Sequence, residues 1–237
     1  MRIICFPNPK SLIDLEGDRS LATNLKSPAQ LRAAVQIAVI DDQPFAPENN
    51  LRNNNFQIVS FVDIHRIDQI QDYPIVLCDL QGVGSQLAGE LQGAYLIEEI
   101  KRNYPEKAVI AFTGGSANST ISKRAALAAD NYLRKDVSIE DWRDVLDTHI
   151  QNLSNPIYVW RQFRIRLVKT GISPVDLMRL EHAYVSSIKS GATATKTAIE
   201  SVANNRIVDP TIKSEIRNFI ASKAFEILFE ALKGYAT

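Results

Sequence analysis

Four short runs in the middle of the chain each end on a side chain that can do chemistry. Ile37-Ala38-Val39-Ile40 is closed by Asp41 and Asp42, and Ile75-Val76-Leu77-Cys78 by Asp79. Ala108-Val109-Ile110-Ala111-Phe112 is closed by Thr113, and the more polar run Asn131-Tyr132-Leu133-Arg134 by Lys135. Short apolar runs separated by helix-length stretches are the pattern of parallel strands buried on both faces of an α/β sheet. In such sheets ligand chemistry gathers at the carboxyl ends of the strands. The pattern therefore brings a carboxylate pair, a lone carboxylate, a hydroxyl and an amine to one crevice.

These residue types suit a carboxylate that accepts a phosphoryl group. The incoming oxygens need a divalent metal to hold them and offset their charge, and Mg²⁺ takes oxygen ligands, often one or two carboxylates plus phosphate and water. Asp41, Asp42 and Asp79 can supply such ligands. Lys135 can neutralise phosphoryl oxygens as a mobile point charge, and Thr113 can donate a hydroxyl to them. Because phosphoryl transfer depends mostly on positioning and electrostatics, a compact site of this kind is sufficient.

In order and spacing, Val39-Ile40-Asp41-Asp42, Val76-Leu77-Cys78-Asp79, Ala111-Phe112-Thr113-Gly114-Gly115 and Tyr132-Leu133-Arg134-Lys135 resemble the receiver domain of two-component response regulators. The resemblance spans residues 36–151. It implies that Asp79 is the phosphoacceptor and that Asp41 and Asp42 are the acidic pair binding Mg²⁺, with the backbone carbonyl of Gln81 as a further ligand. It also implies that Thr113 is the switch hydroxyl and Lys135 the phosphate-contacting lysine. Tyr132 would be the aromatic whose rotamer follows the state, and Gly114 the small residue that leaves the acyl phosphate accessible. A histidine kinase or a phosphotransfer protein would be the donor, and a downstream protein the reader. The chain would then be a signalling switch, not a turnover enzyme. Asp136 stands where the family usually has proline, so that turn must form otherwise. Residues 80–92 make a longer loop than usual, with Gly82, Gly84 and Gly89 in it.

The whole chain expected from the sequence is a five-stranded parallel, doubly wound (flavodoxin-like) domain over residues 36–152, after an extension over 1–35 and before an all-helical region over 156–237. Strands are expected near 37–41, 57–62, 75–79, 108–113 and 131–134, and helices near 46–53, 64–71, 93–104, 117–129 and 138–152. In the extension, Arg2 to Phe6 reads as a strand, and Ser27-Pro28 as a helix start with Leu31, Ala34 and Val35 on one side. Beyond Asn155-Pro156 strand signals cease. Helices are expected from Tyr158 to Lys169, from Ser173 to Gly191, near 194–203 and over 209–233, the last ended by Gly234.

Charge narrows the partners. Lys plus Arg equals Asp plus Glu at 27 each, so net charge points to neither nucleic acid nor membrane. Residues 155–237 nevertheless hold 12 Lys/Arg against 7 Asp/Glu, a balance of +5 that leaves −5 for the rest. Arg161, Arg164, Arg166 and Lys169 lie around a helix without a helix-turn-helix pattern downstream, and read as a solvated face more readily than as a nucleic-acid contact. His182 lacks the lysine and glycine that closely follow a phosphotransfer histidine, and reads as a surface residue. His65 and His149 have no metal-ligand companions at useful spacing. Cys5 and Cys78 make no disulfide framework and no run spans a bilayer, so a cytoplasmic location is expected. Phe219, Ile220, Phe225, Ile227 and Leu228 form an apolar stripe too wide for a small helical module to cover alone, which predicts a homodimer through this tail. Two other readings remain: a receiver-like scaffold without phosphorylation, and a nucleic-acid-binding output.

Overall fold

The computed structural model of the chain describes residues 9–18, 26–88, 92–116 and 118–232. The chain divides into two compact units, one of Ser27–Gln151 and one of Met1–Lys26 with Asn152–Thr237. The expected strand at Arg2 to Phe6, and Cys5, Gly89 and Gly234, lie outside the described residues. Among the described residues, helix α1 (Leu12–Glu16) comes first and belongs to the second unit.

The unit Ser27–Gln151 begins with α2 (Pro28–Ala34), where Ser27 Oγ accepts the N–H of Gln30 and Pro28 occupies the first turn. Leu31 and Val35 are buried and Ala34 is exposed. Arg32 fastens this helix to the unit. Its guanidinium donates to Asp147 Oδ1 at 2.7 Å and to the Asn54 carbonyl at 3.2 Å, and lies 4.6 Å from the centre of the Phe56 ring. Residues 1–35 are thus not one extension, because 27–35 pack with the sheet.

Strands β1 (Gln36–Ile40), β2 (Gln57–Phe61), β3 (Ile75–Asp79), β4 (Ala108–Thr113) and β5 (Asn131–Arg134) form one parallel sheet in the order β2-β1-β3-β4-β5. This is the flavodoxin-like doubly wound order. Every residue of the central strands β3 and β4 is buried, whereas the edge strands β2 and β5 alternate or are half exposed. Alternate side chains leave on opposite faces. Ala38, Ile40, Val76, Cys78, Val109 and Ala111 share one core cluster with Leu96, Ile97 and Ile100. On the other face Phe112 meets Phe45 at 5.4 Å and Trp142 at 5.6 Å between ring centroids.

The helices between the strands are α3 (Glu48–Asn53), α4 (Ser85–Ala88), α5 (Gln92–Asn103), α6 (Thr120–Ala128) and α7 (Ile139–Ser154). The helix expected near 64–71 shrinks to a single 3₁₀ turn, Ile67–Ile70. The side chain of Gln69 takes the N–H groups of His65 and Arg66, and Pro74 follows four residues after Ile70, which leaves no room for a second turn. Helix α5 lies very close to β3. A Cβ on Gly93 would stand 2.0 Å from the Asp79 carbonyl oxygen and 2.8 Å from Leu80 Cα.

The other unit continues through α8 (Pro156–Lys169), α9 (Pro174–Ser187), α10 (Ala192–Arg206), α11 (Pro210–Ala221) and α12 (Lys223–Ala231). Its core holds Leu15 of α1 together with Trp160, Phe163, Leu180, Tyr184, Phe219, Phe225 and Leu228. Phe163 and Phe219 stack at 3.9 Å, and the buried Tyr184 hydroxyl donates to the Pro156 carbonyl at 2.8 Å. The expected long final helix is broken. Ser222 adopts extended backbone angles and its Oγ accepts the Phe225 N–H, starting a new helix. The break lets α11 and α12 each turn an apolar side inward. All five stripe residues, Phe219, Ile220, Phe225, Ile227 and Leu228, are therefore already buried in the single chain. The stripe is not a free face, so the premise for a dimer through it fails. Arg166 is paired with Glu215, and Arg161 and Arg164 lie 3.7 Å and 3.9 Å from Glu16 and Glu181. Among the described residues no helix is long and apolar enough to cross a membrane.

Two measurements check this packing. Gly93→Ala is expected to lower unfolding free energy by at least about 2 kcal/mol, because the added methyl meets backbone, which cannot swing aside; chemical denaturation reads it. His149 is buried against Asn131, with Nε2 2.7 Å from Asn131 Oδ1. Burial holds its pKa below the ordinary 6.5, with Asp130 opposing and Lys101 assisting. The unfolded chain takes up this proton first as pH falls. The stabilisation is therefore complete above 6.5 and is lost as pH drops through the folded value. Relative to His149→Gln, the native protein should lose stability in melts between about pH 7.5 and about pH 5.5.

Candidate functional site

The acidic residues sit where the strand order reverses. After β1 the chain moves outward to β2, then returns to place β3 on the other side of β1. The carboxyl ends of β1 and β3 therefore flank a cleft. Asp41 follows β1 directly and Asp79 ends β3. Carboxylate oxygens of Asp41, Asp42 and Asp79 all lie within 4.8 Å of one another. Asp41 and Asp79 are buried and Asp42 is exposed.

Lys135, just beyond β5, reaches into this cluster. Its Nζ lies 3.0 Å and 2.9 Å from the two Asp41 oxygens and 2.6 Å from Asp79 Oδ2. Asp79 Oδ1 accepts the N–H of Leu80 at 2.7 Å and that of Gln81 at 3.4 Å. Asp41 Oδ1 accepts the N–H of Gln43 at 3.0 Å. Burial raises the Asp79 pKa; Lys135 pulls it back in part, and Asp41 pushes it up again. Burial opposes the charge on Lys135, but its hydrogen bonds to Asp79 and Asp41 more than compensate and raise its pKa. The buried Cys78 thiol beside Asp79 is held well above its ordinary value, by burial and then by Asp79, Asp63 and Asp41. It is not a nucleophile at neutral pH.

The remaining expected residues are distributed around this cluster. Thr113 is buried at the end of β4, where its Oγ1 accepts the Gly115 N–H at 3.0 Å and keeps its own proton to donate. Its carbonyl accepts the Lys135 N–H at 2.9 Å, which ties the two residues together. Gly114 is exposed, and a Cβ there would stand 3.8 Å from Lys135 Cδ. Gln81 reaches the cluster through its N–H, and its side-chain amide lies against Gly115. Tyr132, paired in register with Ala111, packs on the sheet core, and its hydroxyl is buried without a hydrogen-bond partner. Asp136 is exposed and pairs with Arg134 at 2.8 Å across the turn that a proline would otherwise shape.

The loop after Asp79, whose glycines the sequence already marked, is held by Asp63 and Gln92, which sequence reasoning missed. Gly82 and Gly84 both take positive φ, 75° and 70°. A Cβ on Gly82 would fall 2.2–2.7 Å from the Asp42 carboxylate, so this loop lies directly against the exposed acid. Asp63, two residues past β2, accepts the Gly84 N–H at 2.8 Å, and the Gln92 side chain accepts the Gly82 N–H at 3.2 Å. Gln92 itself takes φ 43°, a backbone region that bulky residues rarely enter. Asp63 lies beyond the end of edge strand β2, not on it as Asp79 lies on β3, and the exposed Val62 separates it from the strand. The donor set is three hard carboxylates with hydrogen-bonded oxygens, and is compatible with a divalent oxygen-seeking cation.

Solved structures similar to this chain are receiver domains. One is the CheY-like receiver domain protein of Methanospirillum hungatei JF-1, at 18% identity, TM-score 0.42, covering 49% of this chain and 94% of that one. Another is a receiver domain protein of Clostridium thermocellum at 24% identity, TM-score 0.41, with 49% and 94% covered. The receiver domain of NtrX from Brucella abortus matches at 21% identity, TM-score 0.40, with 48% and 98% covered. No family model and no curated protein matches the sequence. The strand order and the site at its switch point identify the architecture from this chain alone. The sheet unit has the flavodoxin-like doubly wound fold. What lies outside the sheet unit is helical among the described residues.

Asp63→Ala and Gln92→Ala each release one N–H of the loop that lies against Asp42. Loosening the loop frees the Asp42 carboxylate that it lies against, which is expected to weaken divalent-cation binding by about tenfold. Calorimetric titration with MgCl₂ is expected to show that loss for either variant, whereas Arg66→Ala, on the exposed 3₁₀ turn, leaves the isotherm unchanged.

Proposed function

We propose that the chain is a cytoplasmic two-component response regulator whose receiver unit accepts a phosphoryl group on Asp79. The observation that carries this reading is the convergence of Asp41, Asp42 and Asp79 within 4.8 Å, with Lys135 bridging Asp41 and Asp79, at the switch point of the sheet. A histidine kinase or a phosphotransfer protein would be the donor. A carboxylate oxygen of Asp79 forms the new O–P bond as the donor's P–N bond breaks. The leaving imidazole nitrogen keeps the electron pair and takes a proton from solvent.

Asp41, Asp42 and Asp79, with the Gln81 carbonyl, would hold Mg²⁺, which when bound supplies charge neutralisation for the phosphoryl oxygens. The chain's own residues do the rest. Backbone N–H groups of Leu80 and Gln81 orient the Asp79 carboxylate. Lys135 already contacts Asp79 and needs only a small movement to meet a phosphoryl oxygen. The free Thr113 hydroxyl proton can donate to a second oxygen. Gly114 keeps the approach open.

Modification adds negative charge and strong acceptors at Asp79. Drawing Lys135 and Thr113 towards it pulls on β4 and β5, and Tyr132 lies on β5 in register with Ala111. A buried hydroxyl without a partner costs about 1–3 kcal/mol, so the Tyr132 rotamer is poised to respond to its surroundings. The surface of α6, β5 and α7 would carry the change to a downstream protein or to a second copy of the chain. The unit acts in this reading as a switch, not as a turnover enzyme. Ion pairs from Lys135 already balance much of the acidic cluster, which is the observation that favours a static, unphosphorylated scaffold instead.

Mass spectrometry of the intact protein after incubation with acetyl phosphate and MgCl₂ separates the two. The switch reading expects one added phosphoryl group, dependent on Mg²⁺ and absent in Asp79→Asn. Lys135→Ala should still take up phosphoryl but no longer alter Tyr132 fluorescence. An unmodified native protein supports the scaffold, and labelling that persists in Asp79→Asn removes Asp79 from its role.

A further inference from the structure

The helical unit contains a groove of about 890 Å³ that the receiver chemistry does not use. Its walls come from the start of α1, from α9 and from α10. That volume lies within the range of sites that take drug-sized ligands, roughly 300–1,000 Å³. The lining is chemically two-sided. Lys10, Arg179 and Arg206 supply positive charge, whereas Met178 and Val202 supply apolar wall. Met178 is 65% exposed and forms part of the groove wall.

The charges do not cancel within the groove. Glu181 is the only carboxylate among the lining residues, and its Oε2 is occupied by the Trp160 indole N–H at 2.9 Å, with Arg164 3.9 Å away. Asp14, next to Lys10 in sequence terms, turns its carboxylate to the backbone N–H groups of Lys10 and Ser11, each at 3.0 Å. Arg179 is paired with Asp176 at 3.0 Å. Lys10 and Arg206 form no ion pair among the described residues. Asp14 feels the Lys10 charge and Asp209 lies near Arg206 in sequence, but both turn their carboxylates to backbone N–H groups. Residues 1–8, 19–25 and 233–237 contain no Asp or Glu.

Unbalanced cations beside apolar wall match a ligand with a negative head and an apolar body. We propose that this groove binds a small organic anion, its carboxylate or phosphate head met by Lys10 and Arg206 and its apolar body lying on Met178 and Val202. The site is separate from the acidic crevice of the receiver unit, and its occupant differs from anything the phosphoryl reading requires.

The probe is 8-anilinonaphthalene-1-sulfonate, which joins an anionic head to an aromatic body and fluoresces when its body is desolvated. Added to the full chain, it should bind saturably at one site, be displaced by decanoate, and be displaced at least tenfold less well by decanol. The Lys10→Ala/Arg206→Ala double variant should weaken probe binding at least tenfold, equivalent to about 1.4 kcal/mol, with an unchanged melting temperature. Met178→Ser, at an exposed position that the fold does not need, should also weaken it. Three results each overturn the assignment: no saturable binding, equal displacement by decanol, or binding that persists in both variants, which would be adventitious dye adsorption only.

Discussion

Three carboxylates crowded at one strand edge would repel one another, and two of them are buried. The amine of Lys135 makes that arrangement tenable. It stands within hydrogen-bond reach of both Asp41 and Asp79, and these contacts hold it charged against the cost of burial. Much else follows from placing it there. Lys135 must leave β5 at the level of Thr113, which fixes the pairing of β4 with β5. Asp41 and Asp79 must leave β1 and β3 side by side, which requires the sheet order in which β1 lies between β2 and β3. The close approach of α5 to Asp79 then requires a residue without a side chain at position 93.

The central strands were legible because their signal is strong and local. A parallel strand buried on both faces has to be apolar throughout, and a functional side chain at its end interrupts the run sharply. Ile75–Asp79 and Ala108–Thr113 agree with the sequence reading to the residue. The clustering of Asp41, Asp42, Asp79 and Lys135 was legible for the same reason, since parallel strands bring their carboxyl ends to one edge.

What escaped the sequence depends on side chains acting at a distance or on single-residue backbone choices. Asp63 and Gln92 hold the loop after Asp79 from 21 and 10 residues away along the chain, and no periodicity encodes such contacts. The break at Ser222 was hidden because the apolar period of α11 and α12 runs on almost without interruption, and serine is tolerated inside a helix until its hydroxyl finds a cap to make. The attachment of residues 27–35 to the sheet unit combines the buried Leu31 and Val35 with one guanidinium whose partners are at positions 54 and 147.

Leu15 shares a core with Trp160 and Phe219, and Asp18 is paired with Lys189, although the entire sheet unit is inserted between them in the chain. The helical unit is therefore discontinuous. During synthesis its amino-terminal strand of contacts has nothing to join until the last helices have emerged, whereas the sheet unit has all its strands and Lys135 well before the chain is finished. Domains that are contiguous generally form as soon as they are available. The order of assembly is thus written into the topology: the sheet unit matures first, and the helical unit closes last, around a loop whose ends its own completed fold has to hold together.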